Sequence, residues 1–179
     1  MNFKDLYDLE SYLFNVVRRR FIKKGHLTAF DFFCIIIWKA NRAKSKIAKK
    51  LISHGYKTLD AAVKELTIGV AKRSKTKDKL RYLFENWKFR LPMATAILTV
   101  LYPKDFTIYD IRVCEIIGNF HNLDSLTKFE NIWLKYQEFK QEVEKIAPNN
   151  LCLRDKDRFL WGKSFYEQLV RDIGNNFNV

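Results

Sequence analysis

The chain has 179 residues and 21.4 kDa, 47% of them hydrophobic and 15% aromatic, with only 6 Gly and 3 Pro, which excludes a disordered chain and favours long helices with few tight turns. The formal net charge is +13 and lopsided: residues 1–100 carry 22 Lys and Arg against 8 Asp and Glu, residues 101–179 carry 11 against 12. A surplus confined to one part of the chain implies a polyanion-binding surface, nucleic acid first, rather than a general aid to solubility.

The apolar runs at 32–38 and 93–102 fall short of the ~20 residues that span a bilayer, so no membrane association is expected. The opening MNFKDLYDLE carries acids and no small-residue cleavage site, and does not read as a signal peptide. Cys34, Cys114 and Cys152 are odd in number and widely spaced, which argues against a disulfide framework and for a reducing, cytoplasmic compartment. With no CxxC or HxxxH spacing, and with His26, His54 and His121 far apart, neither a metal nor a cofactor is expected.

In chain order nearly every segment reads as helix. FKDLYDLESYLFNVVRRRFIKK sets Leu6, Leu9, Leu13 and Val16–Val17 on one stripe and ends at Gly25, its basic cluster favouring the dipole of the last turn. Arg18 to Arg20 are either solvated or phosphate-facing. In LTAFDFFCIIIWKANR, Thr28 with Asp31 forms a capping variant, which with the length of the run favours helix over a buried strand. RAKSKIAKKLISHG is amphipathic through Ile47, Ala48, Leu51 and Ile52. TLDAAVKELTIGVAK starts at a Thr cap and presents Leu59, Val63, Leu66 and Val70. KRSKTKDK has no apolar period and reads as an exposed connection. KLRYLFENW and LPMATAILTVLY are two further helices joined through residues 88–90. LTKFENIWLKYQEFKQEVEKIA ends before Pro148, and RDKDRFLWGKSFYEQLVRDIG ends at Gly174. Strand-type alternation and 20–50-residue repeats are absent. The expected architecture is all-α: one compact helical domain over 1–179, or two lobes of it, with a hairpin region at 79–101.

KLRYLFENWKFRLPMATAILTVLYPKDFTIYDIRV resembles the helix-hairpin-helix region of the DNA glycosylase (HhH-GPD) superfamily. There a short helix leads through a hairpin into a helix that opens with a Thr-Ala-like pair; a Pro-containing loop and an apolar-Asp-x-[His/Arg]-Val element follow. Here the pair is Thr95–Ala96, the loop spans 102–107, and the closing element is Tyr109-Asp110-Ile111-Arg112-Val113. FFCIIIWKANRAK is similar to a segment of divergent members, and RDKDRFLWGKS is similar to the Asp-Arg-x-Leu-Trp closing helix. The resemblance maps the family's catalytic aspartate onto Asp110. It also implies DNA with a damaged or modified base as partner; the protein is expected to act as a monomer. The chain departs from the family at the hairpin, where Phe89-Arg90-Leu91-Pro92 holds no glycine to bring backbone N–H groups onto a phosphate. Lys88 and Arg90 supply charge there instead. Only Pro92 and Met93 stand where lyase-type members place a lysine, so the implied chemistry is monofunctional.

One carboxylate suffices for that chemistry, because cleavage of an N-glycosidic bond passes through an oxocarbenium-like state and the base has already been flipped out. The same residue type is a common helix cap, and Asp110 before IRVCEIIG has either role. Arg112 is a candidate contact to DNA, a partner for the neighbourhood of Asp110 or an ordinary surface salt bridge; Lys39 and Arg42 are candidate contacts to DNA, and Lys39 is also a candidate amine in the site. Trp87 and Phe89 are candidates for wedging DNA, against a packing role. Trp38, Trp133 and Trp161 read as core. The competing functions are a non-catalytic nucleic-acid-binding protein on the same scaffold and a helical protein that meets an acidic partner.

Overall fold

The computed structural model describes residues 3–177, and among them every regular element is helical. After a 3-10 turn (Phe3–Leu6), the Asp8 carboxylate accepts the Ser11 N–H at 3.0 Å and opens α1 (Leu9–Tyr12). The helix runs on through a π-helical turn (Leu13–Val17) into α2 (Arg18–Lys24), and Gly25 stops it in the left-handed conformation at φ 72°. The cap expected at Thr28 is present: its hydroxyl accepts the Asp31 N–H at 3.2 Å and starts α3 (Ala29–Ala40). The IleIleIle run is therefore helical, with Phe32, Ile35 and Ile36 wholly buried.

Asp31 is buried in the same turn. It accepts hydrogen bonds from the Tyr12 hydroxyl at 3.1 Å and the Arg20 guanidinium at 2.9 Å, which offsets the cost of removing a carboxylate from water and ties α1 and α2 to α3. Burial, with Asp31 alongside, raises the pKa of Tyr12, so the phenol stays a donor.

A 3-10 turn (Asn41–Ala43) leads to α4 (Lys44–Ile52), which buries Ile47 and Leu51. α5 (Leu59–Ala71) starts at Thr58, whose hydroxyl accepts the Ala61 N–H, and buries Val63, Leu66 and Val70. α6 (Thr76–Arg81) begins inside the stretch expected to be an exposed connection. Lys79 and Leu80 are buried there; the helix starts three residues before KLRYLFENW, and its first turn is charged and polar with its apolar anchor, Leu80, just beyond the stretch. α6 passes into a π-helical turn (Tyr82–Asn86) that lays Tyr82 on α5. Gly69 makes the approach possible, because a Cβ at that position would collide with the Tyr82 ring, and the Arg73 guanidinium lies over the same ring at 3.6 Å. α7 (Leu91–Leu101) is buried at every position from Ala94 to Leu101.

Packing divides the chain into two compact units, Met1–Leu101 and Tyr102–Val179. In the second, the segment 106–109 has no regular structure and is buried. Tyr136 clamps it: the phenol accepts the Thr107 N–H at 3.1 Å and donates to the Thr107 carbonyl at 2.7 Å. α8 (Ile111–Ile117) follows and ends at Gly118, φ 74°. After a 3-10 turn (Leu123–Ser125) come α9 (Phe129–Ile146) and α10 (Leu153–Gly174), which packs on both α8 and α9. The Lys156 ammonium donates to the Glu144 carbonyl of α9, Arg154 pairs with buried Asp157, and Ser164 donates to Glu115 of α8 at 3.0 Å.

Three tryptophans depart from the expected core positions. Trp38 is half-buried and meets Phe14 edge-on at 6.1 Å; Trp133 is half-buried beside Tyr136 at 6.3 Å. Trp161 is 43% exposed, because the buried side of α10 is set by Leu160 and Ser164 and a residue one step on from Leu160 turns outward. No described helix is long and apolar enough to cross a membrane.

Candidate functional site

The hairpin of the first unit occupies residues 87–90, between the π turn and α7. Its apolar side chains turn inward. Trp87 is 3% exposed and Phe89 2%, which leaves neither as a wedge for DNA and decides between the two roles in favour of packing. His54 stacks on Trp87 at 4.5 Å and Tyr56 stacks on it at 5.9 Å, so the segment after α4 packs against the indole. The alternation that buries residues 87 and 89 exposes Lys88 and Arg90.

Lys88 takes the left-handed backbone at φ 55°, the conformation for which a glycine would be the ordinary choice. The turn is then tied down from α4: the Lys50 ammonium donates to the Lys88 carbonyl at 2.5 Å, and the His54 ring nitrogens lie 2.8 Å from the Lys50 carbonyl and 3.1 Å from that of Asn86. Lys50 also sits over the Phe89 ring at 5.6 Å. Burial, with Lys46 nearby, lowers its pKa. α4 itself carries Lys44, Lys46, Lys49 and Lys50 and no acid, so the hairpin and the helix that braces it form one cationic surface. Lys39 is half-buried in the last turn of α3 and Arg42 is exposed in the 3-10 turn that leads into α4.

Asp110 stands in the second unit, at the end of the clamped segment. Its backbone is extended (φ −138°, ψ 138°), and its carboxylate accepts the Arg112 N–H at 3.0 Å, the bond of a helix N-cap. Its side chain is half-buried. The residue before it is held firmly: the Tyr109 hydroxyl donates to the Phe120 carbonyl at 2.8 Å, and its ring meets Phe139 at 5.5 Å. Burial, with Cys114 close by, pushes Tyr109 up to about 12, and burial pushes Cys114 up to about 11, so both are neutral at physiological pH. The carboxylate is thus fixed from both sides, by the Tyr136 clamp upstream and by α8 downstream.

Arg112 does not turn back to Asp110 with its guanidinium. It donates to the Gln168 side chain at 2.7 Å and lies over the rings of Trp161 at 5.3 Å and Phe165 at 6.0 Å, binding α8 to α10. Lys88 and Arg90 are brought together on the hairpin with Lys50, whose role is not evident from the run of lysines in which it sits. The Tyr136 clamp has no local signal either, since Tyr136 and Thr107 lie 29 residues apart. No family model, curated protein or solved structure matches this chain.

Proposed function

We propose that this protein binds duplex DNA through the cationic surface of the hairpin and α4, and that it hydrolyses the N-glycosidic bond of a flipped, damaged or modified base with Asp110 as the assisting carboxylate. The observation that carries the reading is the hairpin: Trp87 and Phe89 anchor it inward while Lys88 and Arg90 project outward beside the lysines of α4. Cations held on a braced turn suit phosphate oxygens spaced along a backbone.

The chemistry rests on the resemblance of the segment ending at Val113 to helix-hairpin-helix glycosylases. In the reaction the bond from the sugar C1′ to the base nitrogen breaks and the electron pair leaves with the base. A water oxygen then bonds to C1′, and the proton it sheds neutralises the departing base. The Asp110 carboxylate, facing the sugar, stabilises the positive charge at C1′ and orients the water. No lysine follows the hairpin at Pro92 and Met93, so no covalent amine intermediate enters the scheme.

A second reading, a nucleic-acid-binding protein without chemistry, is favoured by one observation: the Asp110 carboxylate already accepts the Arg112 N–H as a cap. One variant separates the two. Asparagine caps helices about as well as aspartate, so Asp110→Asn should leave thermal stability and DNA affinity nearly unchanged. Base release from a panel of damaged and modified duplexes, revealed as abasic sites by heat or alkali, should fall by orders of magnitude. Wild-type protein that releases no base from the panel but binds duplex would establish the binding-only reading. Binding to acidic proteins and not to nucleic acid would refute both.

A further inference from the structure

The outward side of α10 is apolar along its length. Phe159, Trp161, Phe165, Tyr166, Leu169 and Ile173 are all exposed, Tyr166 by 67%, while the opposite side of the helix packs on α8 and α9 through Leu160 and Ser164. Exposed apolar side chains in a contiguous stripe are unusual on a monomer and mark an interaction surface. Their spacing is regular: Phe159, Gly162, Tyr166, Leu169 and Ile173 alternate by three and four residues, the pattern of the contact seam between two packed helices.

We propose that this face is a dimer interface, and that its occupant is α10 of a second copy of the chain, packed antiparallel. Two independent features point to a second copy. The first is Gly162, a poor helix former in the middle of a 22-residue helix. A Cβ there would meet nothing within 4 Å, so nothing in the chain's own packing calls for glycine. An approaching helix does, because the missing side chain leaves a notch in the seam. The second is charge. The stripe is flanked by Arg158 near its start and Asp172 near its end, which is the arrangement an antiparallel copy complements.

One register satisfies both features. With the two-fold axis near residue 164, Tyr166 enters the notch over Gly162 of the second copy, Phe159 layers on the second copy's Leu169, and Arg158, level with the second copy's Val170, reaches Asp172 two residues on. In the single chain Arg158 pairs with Asp155 at 3.2 Å on the surface, an exposed contact of small worth that is readily shared. The rim charges are of both signs, Lys163 and Glu167 included, so the face does not suit a polyanion. Dimerisation departs from the monomer expected from the sequence and is independent of whether the protein acts on DNA.

Sedimentation of the full-length protein without DNA tests the proposal. Mass should rise with concentration from that of one chain to that of two. Tyr166→Glu and Gly162→Leu, one placing charge in the seam and the other filling the notch, should each hold the protein at one chain mass with an unchanged helical circular dichroism spectrum. Arg158→Asp and Asp172→Arg should each weaken the dimer about tenfold or more, and the double swap should restore it. A single-chain mass at every concentration would overturn the proposal. So would a dimer indifferent to Gly162→Leu and Tyr166→Glu, or a charge swap that fails to rescue.

Discussion

Lys88 shows how much one backbone angle matters. A lysine in the left-handed region costs about 1 kcal/mol that a glycine avoids. It is kept in place by the Lys50 and His54 contacts around the turn. Lys88→Gly is therefore expected to be about 1 kcal/mol more stable than Lys88→Ala in urea melts. The two variants should lose the same share of DNA affinity, since each removes one cation. Equal stabilities would show that the turn relaxes out of the left-handed region. The buried thiols make a second test at this scale. Burial pushes Cys34 and Cys114 from the ordinary 9.0 to about 11. Below pH 9 both folded and unfolded chains hold these protons; between about 9 and 11 the unfolded chain releases them while the folded chain does not. Stability should be level with respect to these groups below pH 9 and fall as pH rises through that window. Melts that stay flat to about pH 11 would contradict this.

At the scale of elements, the hairpin is first of all a packed object. Trp87 is stacked by His54 and by Tyr56, with Tyr82 edge-on at 6.5 Å, so the turn, the segment after α4 and the π segment share one aromatic cluster. Trp87→Ala should cost about 3–5 kcal/mol in denaturant melts, as for other large-to-small changes in cores. A stable Trp87→Ala protein with selectively reduced DNA bending would restore the wedge role that its burial argues against. The second unit shows the same economy: Tyr136 and Tyr109 hold the buried segment on which Asp110 stands, and the cap bond to Arg112 then starts α8.

For the molecule as a whole, the break between the units at Leu101–Tyr102 falls where the charge changes character: the first unit holds the surplus of lysine and arginine, and the second is close to neutral. DNA affinity should fall steeply with salt, because each neutralised phosphate releases counterions. Lys88→Glu with Arg90→Glu should weaken binding to all sequences alike and reduce the log–log salt slope by roughly 2, one contact for each lost cation. Filter binding at several salt concentrations measures this. An unchanged slope would remove the hairpin from the DNA-facing surface.

The all-α class, the starts at Thr28 and Thr58, the stop at Gly25 and the helical pair around residues 87–90 were legible in the chain alone. Each depends on neighbours three or four residues away, where capping chemistry and helical period act. The cationic bias of the first hundred residues was legible for a simpler reason, since charge adds without regard to fold. Tertiary structure decided what periodicity leaves open. Trp87 and Phe89 went inward because His54 and Tyr56 cover one and α3's Phe32 meets the other at 6.3 Å. The Arg112 guanidinium went to α10 because Gln168, Trp161 and Phe165 offer it a partner 56 residues away and two aromatic faces. Trp161, read as core, is exposed because α10 is apolar on more sides than its neighbours cover. A side chain's type states what it would bury or bond; only the partners assembled around it determine whether it does.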